Sequence, residues 1–146
     1  MNQLNPIRLD DCFTKDNDLA LMNGVQALVR LLIEQAKLDK DNGLLTNGYV
    51  SGYPGSPLGT LDLELSRAKK HLDKFNIVFQ PAVNEELAAT AAWGTQMLGL
   101  YDKPVIDGVF SMWYGKGPGL DRAMDALRHA NICLLYTSPS PRDWLQ

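Results

Sequence analysis

The sequence has little cysteine, no long apolar run and no excess of basic charge, and each of these absences excludes a class of protein. Its only cysteines, Cys12 and Cys133, form no CxxC motif, so neither a disulfide framework nor a complete zinc or iron–sulfur site is encoded. No apolar run approaches the roughly 20 residues of a membrane-spanning helix, and the N-terminus lacks the layout of a signal peptide. The formal net charge is -3, which argues against nucleic acid or an anionic membrane as partner. We therefore expect a cytoplasmic protein that has no nucleic-acid partner and no membrane partner.

The two histidines do not indicate a metal site either. His71 and His129 fall on predicted helices beside charged residues, and neither has a partner at metal-ligand spacing. We expect both to lie at the surface, and we assign no metal ligands in this chain.

What the sequence does contain is a repeated alternation of strand and helix patterns. Short β-type runs occur at the start of segment 48–60, at Ile77–Phe79 and at Val105–Tyr114, and a helical pattern follows each of them. Three such alternations predict an α/β fold in which helices cover both faces of a mainly parallel sheet. In a sheet of this kind, the loops that follow the strands lie together at one edge.

The helices of this alternation are predicted from capping residues and apolar spacing. Asn23 and Gln26 form a capping-box pattern for a helix that ends in the turn-prone segment 39–43. Thr60 is placed to cap the next helix, and a further helix follows Gly119. Apolar residues recur at helical spacing in all three. They are Val25, Leu28, Val29, Leu32 and Ala36 in the first, Leu61, Leu65, Ala68 and Leu72 in the second, and Leu120, Met124, Leu127 and Ala130 in the third.

The segment Val83–Thr95 combines acidic residues with an unusually small-sided helix. Asn84 is a good N-cap, and Glu85 and Glu86 fall in the first turn, where the helix dipole favours carboxylates. Four alanines follow within the next six positions, so a ligand or another backbone can approach closely. This pattern favours a carboxylate in a partly dry place, although a well-capped helix with no further role remains the alternative.

Two loops rich in glycine and proline are expected at the same edge of the sheet as Glu85. The first, residues 53–60, contains Pro54 and Pro57, which in the alternative interpretation only stiffen a turn. The second, Gly115–Gly119, contains Lys116, which either contacts a phosphate or carboxylate or is simply solvated. Asp107 precedes this loop within the third apolar run, where it could form a hydrogen bond within the site.

Several of these segments, taken in order, resemble one known family. The segments are Tyr53–Gly59, Phe79–Pro81, Val83–Glu85, Leu87–Ala91, Trp93–Gly94, Gly108–Phe110, Met112–Gly119 and Asp121–Arg122. Together they are similar to the N-terminal region of indolepyruvate ferredoxin oxidoreductases, which are thiamine-diphosphate-dependent 2-oxoacid:ferredoxin oxidoreductases. The resemblance covers roughly residues 20–131. In that family this region is the pyrimidine-binding (Pyr) domain, a doubly wound α/β unit.

The resemblance also implies roles for individual residues. The family's acidic residue falls on Glu85, which lies nine positions before Gly94 and would be the catalytic residue. Such a glutamate hydrogen-bonds a pyrimidine nitrogen of thiamine diphosphate and favours the imino tautomer, which accepts a proton from the thiazolium ring. Gly55 and Ser56 would then contact the cofactor, and Ser56 and Lys116 would contact the 2-oxoacid.

For the whole protein, the resemblance implies oxidative decarboxylation of an arylpyruvate to an acyl-coenzyme A, with electrons passed to ferredoxin. Relatives hold Mg²⁺ and the diphosphate in a separate PP domain of the same or a partner chain. Their [4Fe-4S] clusters are bound by cysteines that this chain does not contain. We therefore expect a truncated Pyr domain that is inactive alone and that belongs to a longer, homo-oligomeric enzyme. The alternative is a non-catalytic α/β module that binds a ligand or a partner.

The chain is accordingly divided into three parts. Residues 1–19 are predicted to be a surface lead-in, residues 20–131 a partial pyrimidine-binding domain, and residues 132–146 a non-native tail. The tail resembles a translated sequencing adapter, and a genuine proline-rich tail is the alternative.

Overall fold

Three parallel strands form the centre of the fold, and helices surround them. The computed structural model describes residues 8–16, 19–55 and 58–133. Two short 3-10 helices, Asp73–Phe75 and Leu98–Leu100, accompany the main elements. In chain order the main elements are α1 (Asp11–Thr14), α2 (Gly24–Asp41), β1 (Thr46–Gly52), α3 (Leu61–Arg67), α4 (Lys69–Leu72), β2 (Ile77–Phe79), α5 (Glu85–Thr95), β3 (Gly108–Tyr114) and α6 (Gly117–Cys133).

The strand order is β2-β1-β3, and both pairings are parallel. Gly48 of β1 lies opposite Ile77 on one side and Phe110 on the other, and Gly52 lies opposite Tyr114. Among the described residues, β1 is therefore the central strand, and β2 and β3 are the two edges. The predicted α/β class with a parallel sheet is confirmed, and the arrangement is compatible with a doubly wound fold.

Helices cover both faces of the sheet because successive side chains of a strand point to opposite sides. Phe110, Met112 and Tyr114 of β3 pack into the cluster formed with α2, α3 and α4. Trp113 instead packs against alanines of α5 and α6. The α2 helix begins as predicted, because the reciprocal Asn23–Gln26 capping box is present.

Two glycines of β1 let aromatic rings of β3 cross the central strand. A Cβ atom on Gly48 would lie 2.7 Å from the ring of Phe110, and one on Gly52 would lie 2.5 Å from the ring of Tyr114. These distances are shorter than van der Waals contact, so a larger residue at either position would force the ring to move.

The second helix begins where it was predicted, with Thr60 at the N-cap position and Leu61 as the first residue of α3. However, Thr60 makes no side-chain capping bond, and its backbone is left-handed with φ 79°. The predicted apolar face is nevertheless confirmed, since Leu61, Leu65, Ala68 and Leu72 are all buried, although a break at Ala68 divides the helix into α3 and α4.

The prediction that His71 lies at the surface was wrong. His71 is only 5% exposed, because the short helix α1 folds over it and its ring lies 5.5 Å from that of Phe13. Part of the lead-in therefore belongs to the core, with Cys12 and Phe13 buried. The second histidine, His129, is exposed as predicted.

The third strand and the last helix also differ from the predictions. The strand begins at Gly108 rather than Val105. Asp107 lies before it and bonds Leu45 through both its backbone N–H and its carboxylate, at the amino end of the sheet and away from the loops. In α6 the buried residues are Gly119, Ala123 and Ala126, because α6 packs on α5, whereas the larger residue Leu120 is 40% exposed. No helix among the described residues is long and apolar enough to cross a membrane.

Candidate functional site

Glu85 reaches the carboxyl end of the central strand because the chain after β2 continues along β1. The backbone N–H of Gln80 donates to Val50 O at 2.9 Å, and that of Ala82 donates to Gly52 O at 3.0 Å. The buried hydroxyl of Ser51 donates to Gln80 O at 2.8 Å. These three bonds hold segment 80–82 beside β1 and bring the start of α5 to the end of the sheet.

The first turn of α5 is capped as predicted. The side-chain oxygen of Asn84 accepts a hydrogen bond from the N–H of Leu87 at 2.8 Å, and Asn84 itself has an extended backbone, as an N-cap should. The two acids that follow have different surroundings, since Glu85 is partly buried and Glu86 is exposed. The two side chains therefore point in different directions from the same turn.

The side chain of Glu85 occupies space that two glycines leave open. A Cβ atom on Gly119, in the first turn of α6, would lie 2.5 Å from Cγ and 2.6 Å from Oε1 of Glu85. A Cβ atom on Gly115 would lie 3.4 Å from the same Cγ. Any larger residue at position 119 would displace the carboxylate, so the glycine loop fixes where this group lies.

The carboxylate of Glu85 has no hydrogen-bond or ion-pair partner within the described ranges. A carboxylate that is left without a partner can form a hydrogen bond with a polar group bound beside it and can exchange a proton with that group. This is the chemistry that the site can perform.

Two of the other predicted site residues, Gly55 and Lys116, lie in the loops that follow β1 and β3 at the same edge. Gly55 adopts φ +91°, a conformation that favours glycine, and a side chain there would meet open space. Ser56 lies outside the described residues. Lys116 is exposed, and its backbone carbonyl accepts from the N–H of Leu120 at 2.8 Å at the start of α6. Among the described residues, the structure shows no hydrogen bond between Gly55, Lys116 and Glu85.

Two residues that support Glu85 were not identified from the sequence. The indole Nε1–H of Trp113 donates to the backbone carbonyl of Glu85 at 3.0 Å, and Gly119 lies under the side chain. A tryptophan in an apolar strand is typical of core packing, so the sequence does not indicate that its N–H bonds the carbonyl of Glu85. The glycine-rich loop was recognised as part of the site, but which residue contacts each glycine depends on the tertiary structure.

Tyr114, at the end of β3, contains a buried hydroxyl on the opposite face of the sheet. The residue is 5% exposed, and its hydroxyl has no partner among the described residues. Burial, together with the nearby charge of Asp62, raises the pKa of Tyr114 to about 12. The phenol is therefore neutral throughout the physiological range.

Metal ligands are not grouped anywhere in residues 8–16, 19–55 and 58–133, where no cluster of three or more His, Cys, Asp or Glu side chains occurs. Both cysteines are free thiols, Cys12 buried and Cys133 exposed.

Comparisons with protein-family models, with curated proteins and with solved structures gave no match to this chain.

Proposed function

We propose that this chain is the partial pyrimidine-binding domain of an indolepyruvate ferredoxin oxidoreductase, and that Glu85 is its cofactor-activating acid. One observation carries the proposal. Glu85 is partly buried at the carboxyl edge of the sheet, and its carboxylate has no partner among the described residues. The family motif assigns the activating acid to this same residue.

The surroundings of Glu85 fit the pyrimidine ring of thiamine diphosphate. The carboxylate of Glu85 has no hydrogen-bond or ion-pair partner within the described ranges, so it is available to a nitrogen of the ring. A glutamate at this position can form a hydrogen bond with a ring nitrogen and exchange a proton with it. Glu85 would provide this hydrogen bond, and the backbone at Gly55 would lie beside the cofactor. When bound, thiamine diphosphate supplies the electron sink for decarboxylation.

The substrate contacts in this proposal come from the two loops that flank the site. Lys116 carries a positive charge at the start of α6 and would attract the carboxylate of an arylpyruvate. Ser56 would add a hydroxyl contact to the 2-oxoacid or the cofactor. Mg²⁺, the PP domain and the [4Fe-4S] clusters would come from outside this chain. Coenzyme A and ferredoxin would be partners of the longer, homo-oligomeric enzyme.

The experiment begins with the DNA that follows the Asn131 codon. If the reading frame continues, the longer protein is expressed and its reduction of ferredoxin is measured with indolepyruvate, coenzyme A and thiamine diphosphate. Glu85→Gln keeps the size of the side chain but removes its acidity, so we expect kcat to fall by about 100-fold or more. Glu86→Gln makes the same change one residue away, at an exposed position, and should leave kcat nearly unchanged.

Two results would contradict the proposal. If the reading frame stops after Asn131, the chain is better described as a non-catalytic α/β module. If Glu85→Gln is as active as Glu86→Gln, the acid has been assigned to the wrong residue.

A further inference from the structure

The indole of Trp113 connects the sheet to the first turn of α5. Its Nε1–H donates to the backbone carbonyl of Glu85 at 3.0 Å. In a regular helix this carbonyl accepts a hydrogen bond from the N–H four residues later, so the indole adds a second donor that comes from another element. Because this donor belongs to β3, the bond fixes the start of α5 relative to the sheet.

The indole also fills the space between α5 and α6. It packs against the buried alanines Ala89, Ala123 and Ala126. Small residues on both helices make room for the two fused rings, and a Cβ atom on Gly115 would lie only 2.8 Å from them. Trp113 is partly buried, and these contacts on both helices limit the rotation of the indole and so the direction of its N–H.

We propose that Trp113 is a positioning residue that holds the carboxylate of Glu85 in place. The carbonyl that accepts the indole bond and the side chain that carries the carboxylate are attached to the same Cα atom. Fixing the carbonyl therefore restricts the position from which the side chain extends over Gly119. Reactive groups must be held within about 0.5 Å of their working position, and a single aimed hydrogen bond is a suitable means. For catalysis, this inference rests on the proposed function of Glu85.

The test replaces only the N–H group. Site-specific incorporation of 3-benzothienylalanine, which has sulfur in place of the indole N–H, keeps the shape of the tryptophan and removes the donor. The same replacement at Trp93 is the matched control, because the Nε1 of Trp93 is also buried but has no hydrogen-bond partner among the described residues. Thermal melting of both proteins checks that the fold is kept.

The first measurement uses the 146-residue chain and needs no cofactor. In the unmodified chain, a nuclear Overhauser effect is expected between the Glu85 Hγ and Gly119 Hα protons, because these groups are in contact. It should weaken markedly when position 113 is replaced and should persist when position 93 is replaced. If it is equally strong in both replacements, the positioning role of Trp113 is contradicted.

The second measurement uses the longer enzyme. Replacement at position 113 should lower kcat about tenfold or more, with a smaller change in the affinity for thiamine diphosphate, whereas replacement at position 93 should not. An unchanged kcat, or a reduced kcat with an intact Overhauser effect, would overturn the inference. If Glu85→Gln has no effect on kcat, the proposed function itself fails, and the first measurement still decides whether Trp113 positions Glu85.

Discussion

The two faces of the sheet are covered by side chains of different size. On one face, α2, α3 and α4 bury large aliphatic residues, whereas on the other, α5 and α6 meet through alanine and glycine. The large buried residues are Val29, Leu32, Ile33, Leu61, Leu65 and Leu72, and the small ones are Ala88, Ala89, Ala92, Gly119, Ala123 and Ala126.

Because of this difference in side-chain size, one face contributes most of the stability and the other positions Glu85. Burial of a large aliphatic side chain contributes about 1.5–3 kcal/mol to folding, and an alanine contributes much less because it buries less apolar area. In return, small residues let two helices and the indole of Trp113 approach closely. The α2 face therefore holds the fold together, and the α5–α6 face determines where Glu85 lies.

The largest expected effect concerns the stability of the two faces. Leu65→Ala should lower the free energy of unfolding by about 3 kcal/mol, because Leu65 is fully buried and a cavity would remain. Leu127→Ala removes the same atoms from the α5–α6 face, where the residue is only partly buried, and should cost about 1 kcal/mol. Urea unfolding of both variants measures the two free energies of unfolding. Equal losses would contradict the claim that the α2 face contributes more to stability than the α5–α6 face.

A smaller effect is expected where the sheet is tightly packed against the α2 face. Gly52→Ala should lower the free energy of unfolding by about 1–3 kcal/mol, because the new methyl group would meet the ring of Tyr114. Gly108→Ala is the matched control, since a Cβ atom at this position would have no atom within 4 Å. Thermal melts of the two variants should differ, and identical melting temperatures would show that the ring moves freely.

Tyr114→Phe should stabilise the protein by about 1 kcal/mol at neutral pH, because it removes a buried hydroxyl without a partner among the described residues. Burial raises the pKa of Tyr114 to about 12, above the value of about 10 expected in the unfolded chain. As the pH rises above about 10, Tyr114 therefore ionises first in the unfolded chain, and the free energy of unfolding falls until the pH reaches about 12. Below about pH 10 this loss is absent. Urea unfolding from pH 8 to 11 should show a shallower alkaline loss for Tyr114→Phe than for the exposed control Tyr101→Phe.

The smallest effect is expected at the N-terminal helix under acid conditions. A hydrogen bond from Lys70 holds the pKa of Asp10 below its usual range. The contribution of this contact is therefore present above about pH 4, the unfolded value, and is lost as the pH falls through the lower folded value. The NMR signals of Phe13 in α1 should shift as the pH falls below about 4, and this shift should be smaller in Asp10→Asn. An identical shift in both proteins would assign it to another group.

Local signals predicted the elements that depend on local physics. The capping residues Asn23 and Asn84 fixed the starts of α2 and α5, and strand alternation indicated the parallel sheet. His71 and Asp107 were misplaced because their positions depend on long-range contacts, one with α1 and the other with Leu45. The face of α6 was misjudged because its partner is a helix lined with alanines, which selects small residues over the larger apolar stripe.

The candidate site was predicted only in part, because some of its features are local in the sequence and others depend on long-range contacts. Glu85 and the glycine loop are visible as local patterns, so the acid and its position at the end of a strand could be predicted. The contacts of Trp113 and Gly119 with Glu85 join residues 28 and 34 positions apart in the sequence, and no local pattern encodes them.

The most direct test of this account compares two alanine substitutions in the first turn of α6. Gly119→Ala would place a methyl group 2.5 Å from Cγ of Glu85, whereas Gly117→Ala would meet nothing within 4 Å. Alanine favours a helix by about 0.5–1 kcal/mol over glycine, and the group met at position 119 is the partly exposed, flexible side chain of Glu85, which can move, so neither variant should unfold. We expect kcat of the longer enzyme to fall at least about tenfold in Gly119→Ala alone, because the carboxylate is displaced. Equal activity of the two variants would contradict the claim that small residues of α6 set the position of Glu85.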